Sequence, residues 1–263
     1  MWILSALLIG VPLLLLLWFV GLPALIHATL KLDANDPVRA VADAELPEVA
    51  LRGFEAREAE AAEHGYLPVG RFEVQMAENV EMHASLLVKP DDPHALLLSF
   101  TRPTGLPEGT PEPDPKWITE LAGETPDGLE FGTTDAFDGV AVDQPASKRV
   151  WPLPGLSLAD LLDAHLTLTA AVSPPPRWEP LPLDLSFERW MHEKLSEELR
   201  EKAGRGFWRE ADGVFRPTWK GAFLSTWSQM PPIRGWREAR LLRRSRADLR
   251  RARAGERLTA GGR

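Results

Sequence analysis

The sequence contains no cysteine. Disulfides, thiolate metal sites and cysteine nucleophiles are therefore excluded. The absence leaves the compartment open, since both sides of a bacterial membrane host such chains. Phosphate-cradling motifs are missing too. There is no G-x-x-x-x-G-K-[ST] and no G-x-G-x-x-G. His192-Glu193 begins like the zinc helix H-E-x-x-H, but Ser occupies position 196. Charge is absent from the start of the chain, where no Asp, Glu, Lys or Arg precedes Lys31.

That uncharged start is "WILSALLIGVPLLLLLWFVGLPALI", Trp2 to Ile26. A bilayer core of about 30 Å takes about 20 helical residues, so the run is long enough to cross with some tilt. Trp2, Trp18 and Phe19 suit interfaces, and Pro23 marks an exit or kink. A cleaved signal peptide would need a basic start, a shorter apolar core and small residues at the cleavage site. None of these is present. The expectation is a single-pass transmembrane helix within residues 1–30. Lys31, Arg39 and Arg52 lie on its C-terminal side, so the positive-inside rule puts the body on the cytoplasmic side.

The net charge of −8 hides a dipole. From Lys31 to Pro180 there are 11 Lys and Arg against 27 Asp and Glu, a net −16; from Leu181 onward there are 19 against 11, a net +8. The halves either attract each other or meet different partners. The proline-dense "SPPPRWEPLPLD" lies between them and reads as a stiff linker or surface strap. The expected division is an α+β domain over 31–172, the linker over 173–185, and a helical region with a short β-hairpin and basic tail over 186–263.

In the first half, "ELPEVALRGFEAREAEAAEHGY" carries helical periodicity, with Pro47 at its first turn and Gly65 just past its end. Alternation in "VGRFEVQM" and "EMHASLLV" predicts strands, and the run "ALLLSF" predicts a buried one. "WITELAG" and "LEFGTTDAF" add two more, and Asp138-Gly139 predicts a turn into a return strand "VAVD". The whole reads as an antiparallel meander of five or six strands. No strong strand is expected before Ser157, because "WPLP" carries two prolines. Ser157 then caps a helix, "LSLADLLDAHLTLTAAV".

In the second half, "LSFERWMHEKLSEELREKAG" predicts a helix from a Ser186 cap to Gly204. Ala211-Asp212-Gly213 predicts a hairpin, and Pro231-Pro232 separates two further helices. Helix, short hairpin, then Thr218, Lys220 and Gly221 opening another helix is similar to the wing end of winged-helix regulators. The likeness covers about thirty residues, and it implies a DNA-binding module with the helix after Ser186 as the reader. The two helices that such a fold needs beforehand are missing, and the proline strap occupies their place. Nucleic acid is accordingly not the expected partner.

Candidate chemistry is sparse. Gly155-Leu156-Ser157-Leu158-Ala159 approximates a nucleophile elbow but lacks its last glycine, so Ser157 reads as a cap. His165 with Asp135 and Asp138 is the best hydrolytic grouping. Asp135, Asp138 and Asp143 depart from calcium-loop spacing. No catalytic, cofactor-binding or metal residue is assigned, and no cofactor is expected. The basic helix from Arg234 to Arg253 could touch anionic lipid or dock on the acidic half. Most of the ten tryptophans fall between Trp178 and Trp236, which favours a binding surface or core packing in equal measure. The leading expectation is a non-catalytic binding or scaffolding α+β domain held at the membrane through Trp2–Ile26, with a protein among its candidate partners. The alternatives are a hydrolase and a tethered nucleic-acid-binding module.

Overall fold

The computed structural model describes residues 10, 13, 17–33, 38–74, 80–105, 109–111, 113–137, 147–179 and 187–259. A π-turn at Leu17–Gly21 runs into helix α1, Leu22–Thr29. Strands β1, Leu32–Asp33, and β2, Val38–Ala40, follow. Helix α2, Glu48–Glu63, precedes five strands: β3, Leu67–Val74; β4, Val80–Val88; β5, Ala95–Pro103; β6, Lys116–Glu124; and β7, Glu130–Thr134. Strand β8, Lys148–Pro152, leads to helix α3, Leu158–Ala171, and the short β9, Val172–Ser173. Helix α4, Phe187–Gly204, is followed by the hairpin β10, Trp208–Ala211, and β11, Val214–Pro217. Helices α5, Trp219–Gln229, and α6, Ile233–Arg253, and strand β12, Leu258–Thr259, complete the described chain.

The fold is α+β around a seven-stranded sheet in the order β2-β3-β4-β5-β6-β7-β8. Every pairing is antiparallel except the last, where β8 runs parallel to β7. This corrects two expectations. The sheet is not a pure antiparallel meander, and a strand does lie before Ser157. Both follow from position: β8 is an edge strand with Pro152 at its end, where a missing N–H breaks no ladder. The expected turn at Asp138-Gly139 and the strand "VAVD" lie outside the described residues, as does the Ser186 cap.

Strand parity divides the side chains between two faces. One face carries Leu87, Leu96, Leu98, Phe100, Leu121, Phe131 and Trp151, and packs against Ala50, Phe54 and Ala61 of α2 and Leu161, Ala164 and Leu168 of α3. Leu249 and Ala252 of α6 join this core. The opposite face carries Val38, Phe72, Leu86, Val88 and Ala95 under Trp190, Met191 and Leu195 of α4. A smaller sheet, β1-β11-β10, packs Leu32 and Phe215 on Leu199 of α4. Strand β12 pairs in parallel with β9, setting Leu258 against Val172.

Among the described residues, no helix is long and apolar enough to cross a membrane. Much of Trp2–Ile26 lies outside them. Its described end does not behave as free anchor. Pro23 follows closely on the π-turn, and the helical run passes through it to Thr29 instead of ending there; the Phe19 carbonyl, four residues back, accepts from Trp227 Nε1. Helix α1 packs on α5 and touches β11.

Candidate functional site

Among the described residues, several groups of side chains go beyond ordinary packing, and three of them involve the regions singled out in the sequence. The first lies where the β4–β5 turn meets α3. The turn residue Asp92 accepts from the backbone N–H of His94 at 2.9 Å, and its Oδ1 lies 2.7 Å from His94 Nδ1. Burial pushes the Asp92 carboxyl up, but the His94 ring and backbone bonds outweigh it and hold it below the ordinary value. The His94 ring stands edge-on to His165, with centroids 4.7 Å apart, and to Trp178, at 4.5 Å. His165 Nδ1 lies 3.0 Å from Thr133 Oγ1. Burial, with a contribution from His94, pushes the His165 ring down to about 3, so it is neutral at physiological pH. A cleft of about 360 Å³ opens beside the pair, lined by Lys89, Asp91, Asp92, His94, Leu166 and Trp178.

This group contains His165 but does not couple it to Asp135. Asp135 turns its Oδ1 to the backbone N–H of Thr119, closing the β6–β7 ladder. Asp138 lies outside the described residues. The carboxylate felt by His165 is that of Asp92. The free nitrogens, Nε2 of both histidines, are buried without a hydrogen-bond partner among the described residues. His94 Nε2 lies over Gly123, where an added Cβ would come within 3.1 Å of it. A general base needs its nitrogen within reach of a reacting proton. Both rings instead present buried edges to packed neighbours, so the geometry is that of a packed joint with a shallow cleft beside it. The sequence hides this joint because Asp92-Pro93-His94 reads as turn chemistry.

The second group lies on the opposite face, beneath α4. Lys148 pairs with Glu130 at 2.8 Å, and Lys194 of α4 pairs with Glu124 at 2.6 Å. Glu120 reaches across Gly132, where an added Cβ would lie 3.2 Å from its Oε1. Burial pushes the Glu120 carboxyl up to about 7, against the pull of Lys148 and with Glu130, Glu198 and Asp135 adding to the rise. Burial raises Glu198 as well, but Lys202 and Lys148 outweigh it and hold that carboxyl below its ordinary value. The group is a ladder of ion pairs that seats α4. No cluster of three or more metal-ligating side chains occurs among the described residues.

The third group is aromatic. Trp219, Phe223 and Trp227 recur every four residues along α5, forming one stripe. His27 of α1 stacks on Trp219 at 4.5 Å, and its Nδ1 lies 2.9 Å from the Pro217 carbonyl. Phe19 meets Trp227 edge-on at 6.3 Å, and Trp227 Nε1 donates to the Phe19 carbonyl. The outer edges stay open: Trp18, Phe19, Trp219 and Trp227 are each 40–48% exposed, and Trp236 at the head of α6 is 69% exposed. Leu13, Leu17 and Leu25 continue the exposed apolar surface.

The motif Thr218-x-Lys220-Gly221 is explained by the same region. Thr218 caps α5 by accepting from Gly221 N, and its hydroxyl also lies 2.7 Å from the Gly206 carbonyl. Lys220 Nζ donates to the Arg205 carbonyl past the end of α4, where a cation suits the helix dipole. Gly221 lets α5 approach Phe207 so closely that a Cβ would lie 2.0 Å from its carbonyl oxygen. The inner face of α4 is spent on the large sheet, and the helix carries five Glu against four Lys and Arg. A basic reading helix is not what this arrangement presents.

No family model matches the chain, and neither the curated proteins nor the solved structures include a match to it.

Proposed function

We propose that the chain is a single-pass, membrane-anchored binding domain, non-catalytic, with the span beginning at Trp2 and its body on the cytoplasmic side. The observation that carries the reading is the seam between α1 and α5. The uncharged run does not pass freely into the body. Its last turns, from Phe19 to His27, are clasped by the tryptophans of α5. A span drawn from Trp2 to about Gly21 has about 20 residues, sufficient for a hydrocarbon core. Leu22 to Thr29 then forms the shoulder that joins it to the body. The exposed apolar side chains gather at this shoulder, where a bilayer would cover them. Lys31 and Arg39, the first cations, lie just beyond, and set the orientation by the positive-inside rule.

The test is extraction of membranes that carry the full chain with a single Ser147→Cys probe. Ser147 lies at the foot of β8, and the chain has no other thiol. The protein should stay in the membrane through high salt and alkaline carbonate. A membrane-impermeant maleimide should label Cys at 147 only after lysis. Release by carbonate would overturn the anchor, and labelling of intact cells would overturn the orientation.

A further inference from the structure

The α5–α6 elbow exposes more apolar surface than its seam with α1 uses. Trp219 and Trp227 keep open edges after binding His27 and Phe19, and Ile233 (40% exposed) and Trp236 (69%) add apolar surface on the far side of Pro231-Pro232. Tryptophan has an amphipathic ring that favours the headgroup level of a bilayer. Cations flank this surface. Lys220 is exposed beside Trp219. Arg240, Arg243 and Arg244 are exposed at spacings of four, seven and eight from Trp236, so they share its side of α6. The distal half of α6 is built differently. There Asp248 binds Arg149 and Trp151, and Arg253 pairs with Asp163. The basic helix is thus docked on the body through its distal half, while Trp236, Arg240, Arg243 and Arg244 nearer its head are exposed.

We infer that the α5–α6 elbow is a lipid-contact collar. It lays Trp219, Trp227, Ile233 and Trp236 into the bilayer interface, and Arg240, Arg243 and Arg244 against anionic headgroups. This rests on the anchored reading above and names the surface through which the body meets the membrane. The occupant is lipid because the patch is continuous with the apolar run. Phe19 touches Trp227, so a bilayer that surrounds the residues before Phe19 also reaches α5. A helix that lies in the interface needs an apolar side bordered by Lys and Arg, which is the composition of this elbow. Each basic residue near an anionic surface contributes about 1 kcal/mol, so three of them bias the body toward acidic lipid without being able to hold it there alone.

The test uses the full chain in nanodiscs with a single environment-sensitive fluorophore on an introduced cysteine. Gly235→Cys places the probe beside Trp236, at an exposed position where an added Cβ meets nothing within 4 Å. Asp127→Cys, in the exposed β6–β7 turn, is the control. In discs of mixed phosphatidylcholine and phosphatidylglycerol, the probe at 235 should be shielded from iodide and quenched by acyl-brominated lipid, several-fold more than the probe at 127. In the Arg240→Glu, Arg244→Glu double variant, the shielding at 235 should fall in the anionic discs toward its level in discs of phosphatidylcholine alone. A probe at 235 as open to iodide as the one at 127, in protein that resists carbonate, would overturn the collar and leave the anchor standing. Shielding that ignores both charge reversal and lipid charge would overturn the headgroup contact. Chain that dissociates from the discs altogether would overturn the anchored reading itself.

Discussion

At His165 the protein buries a titratable ring in its neutral form, with Thr133 on Nδ1 and His94 against its edge. The unfolded chain binds a proton there near pH 6.5, while the folded chain does not until about 3. Below pH 6.5 the unfolded state therefore holds more protons. Stability falls as the pH drops from 6.5 toward 3, at up to ~1.4 kcal/mol per pH unit from this group. Above 6.5 the contribution is complete and flat. The His165→Gln variant should lose this slope. Chemical denaturation of both proteins from pH 7.5 to 4 measures it, and parallel curves would mean that His165 is protonated in the fold. The spacing of residues groups His165 with Asp135, whose carboxylate instead accepts from Thr119 N. The partners of His165, Asp92, His94 and Thr133, come from other elements, and short-range spacing carries no trace of them.

At the scale of elements, local chemistry was legible. Ser157 caps α3 and Thr218 caps α5, each through its side chain. Asp212 and Gly213 both take positive φ between β10 and β11, as a tight hairpin requires. Gly65, at φ 85°, ends α2. The strand signal of β8 is masked by Pro152 at its end and Pro154 just beyond, and Pro152 is tolerated because β8 is an edge. The docking of α5 depends on Gly221 more than on any cap. Gly221→Ala would drive a methyl into the Phe207 carbonyl, at 2.0 Å. Backbone does not yield as a side chain does, so the change should destabilise the fold by ~3 kcal/mol. Thermal unfolding should show it as a lower midpoint. The Gly235→Ala control, where a Cβ meets nothing within 4 Å, should leave the midpoint unchanged or raise it slightly. Equal effects at both sites would remove the close approach as the cause.

At the scale of the whole molecule, a buried ion pair is among the contacts that join the two halves of opposite charge. Asp248 of α6 accepts from Trp151 Nε1 at 3.0 Å and pairs with Arg149 at 2.8 Å, both on β8. The Arg149 and Asp248 side chains are only 12% and 10% exposed. Asp248→Ala would leave a buried guanidinium without its counter-ion, at a cost of about 3–5 kcal/mol. Hydrogen exchange should then rise first in α6 and β12 while the β4–β5 centre stays protected. Loss of protection everywhere at once would mean that α6 is part of the same cooperative unit as the sheet.

The sequence by itself determined the fold class, most of the described strands and helices, the Ser157 cap and the Asp212-Gly213 turn, and the apolar run at the start. Each of these depends on residues within a few positions of one another, through side-chain periodicity, capping bonds or turn dihedrals. The tertiary structure decided which surfaces meet. It sets β1 beside β11 and β9 beside β12, turns β8 parallel to β7, brings His94, held by Asp92, to His165, and folds the basic helix onto the acidic half. An apolar stripe specifies that a face must be covered. It does not specify what covers it, because burial is non-directional and any complementary surface yields a similar gain. Only the closed arrangement of all the elements fixes the partner for each face, and with it the side chains left exposed along α1 and α5.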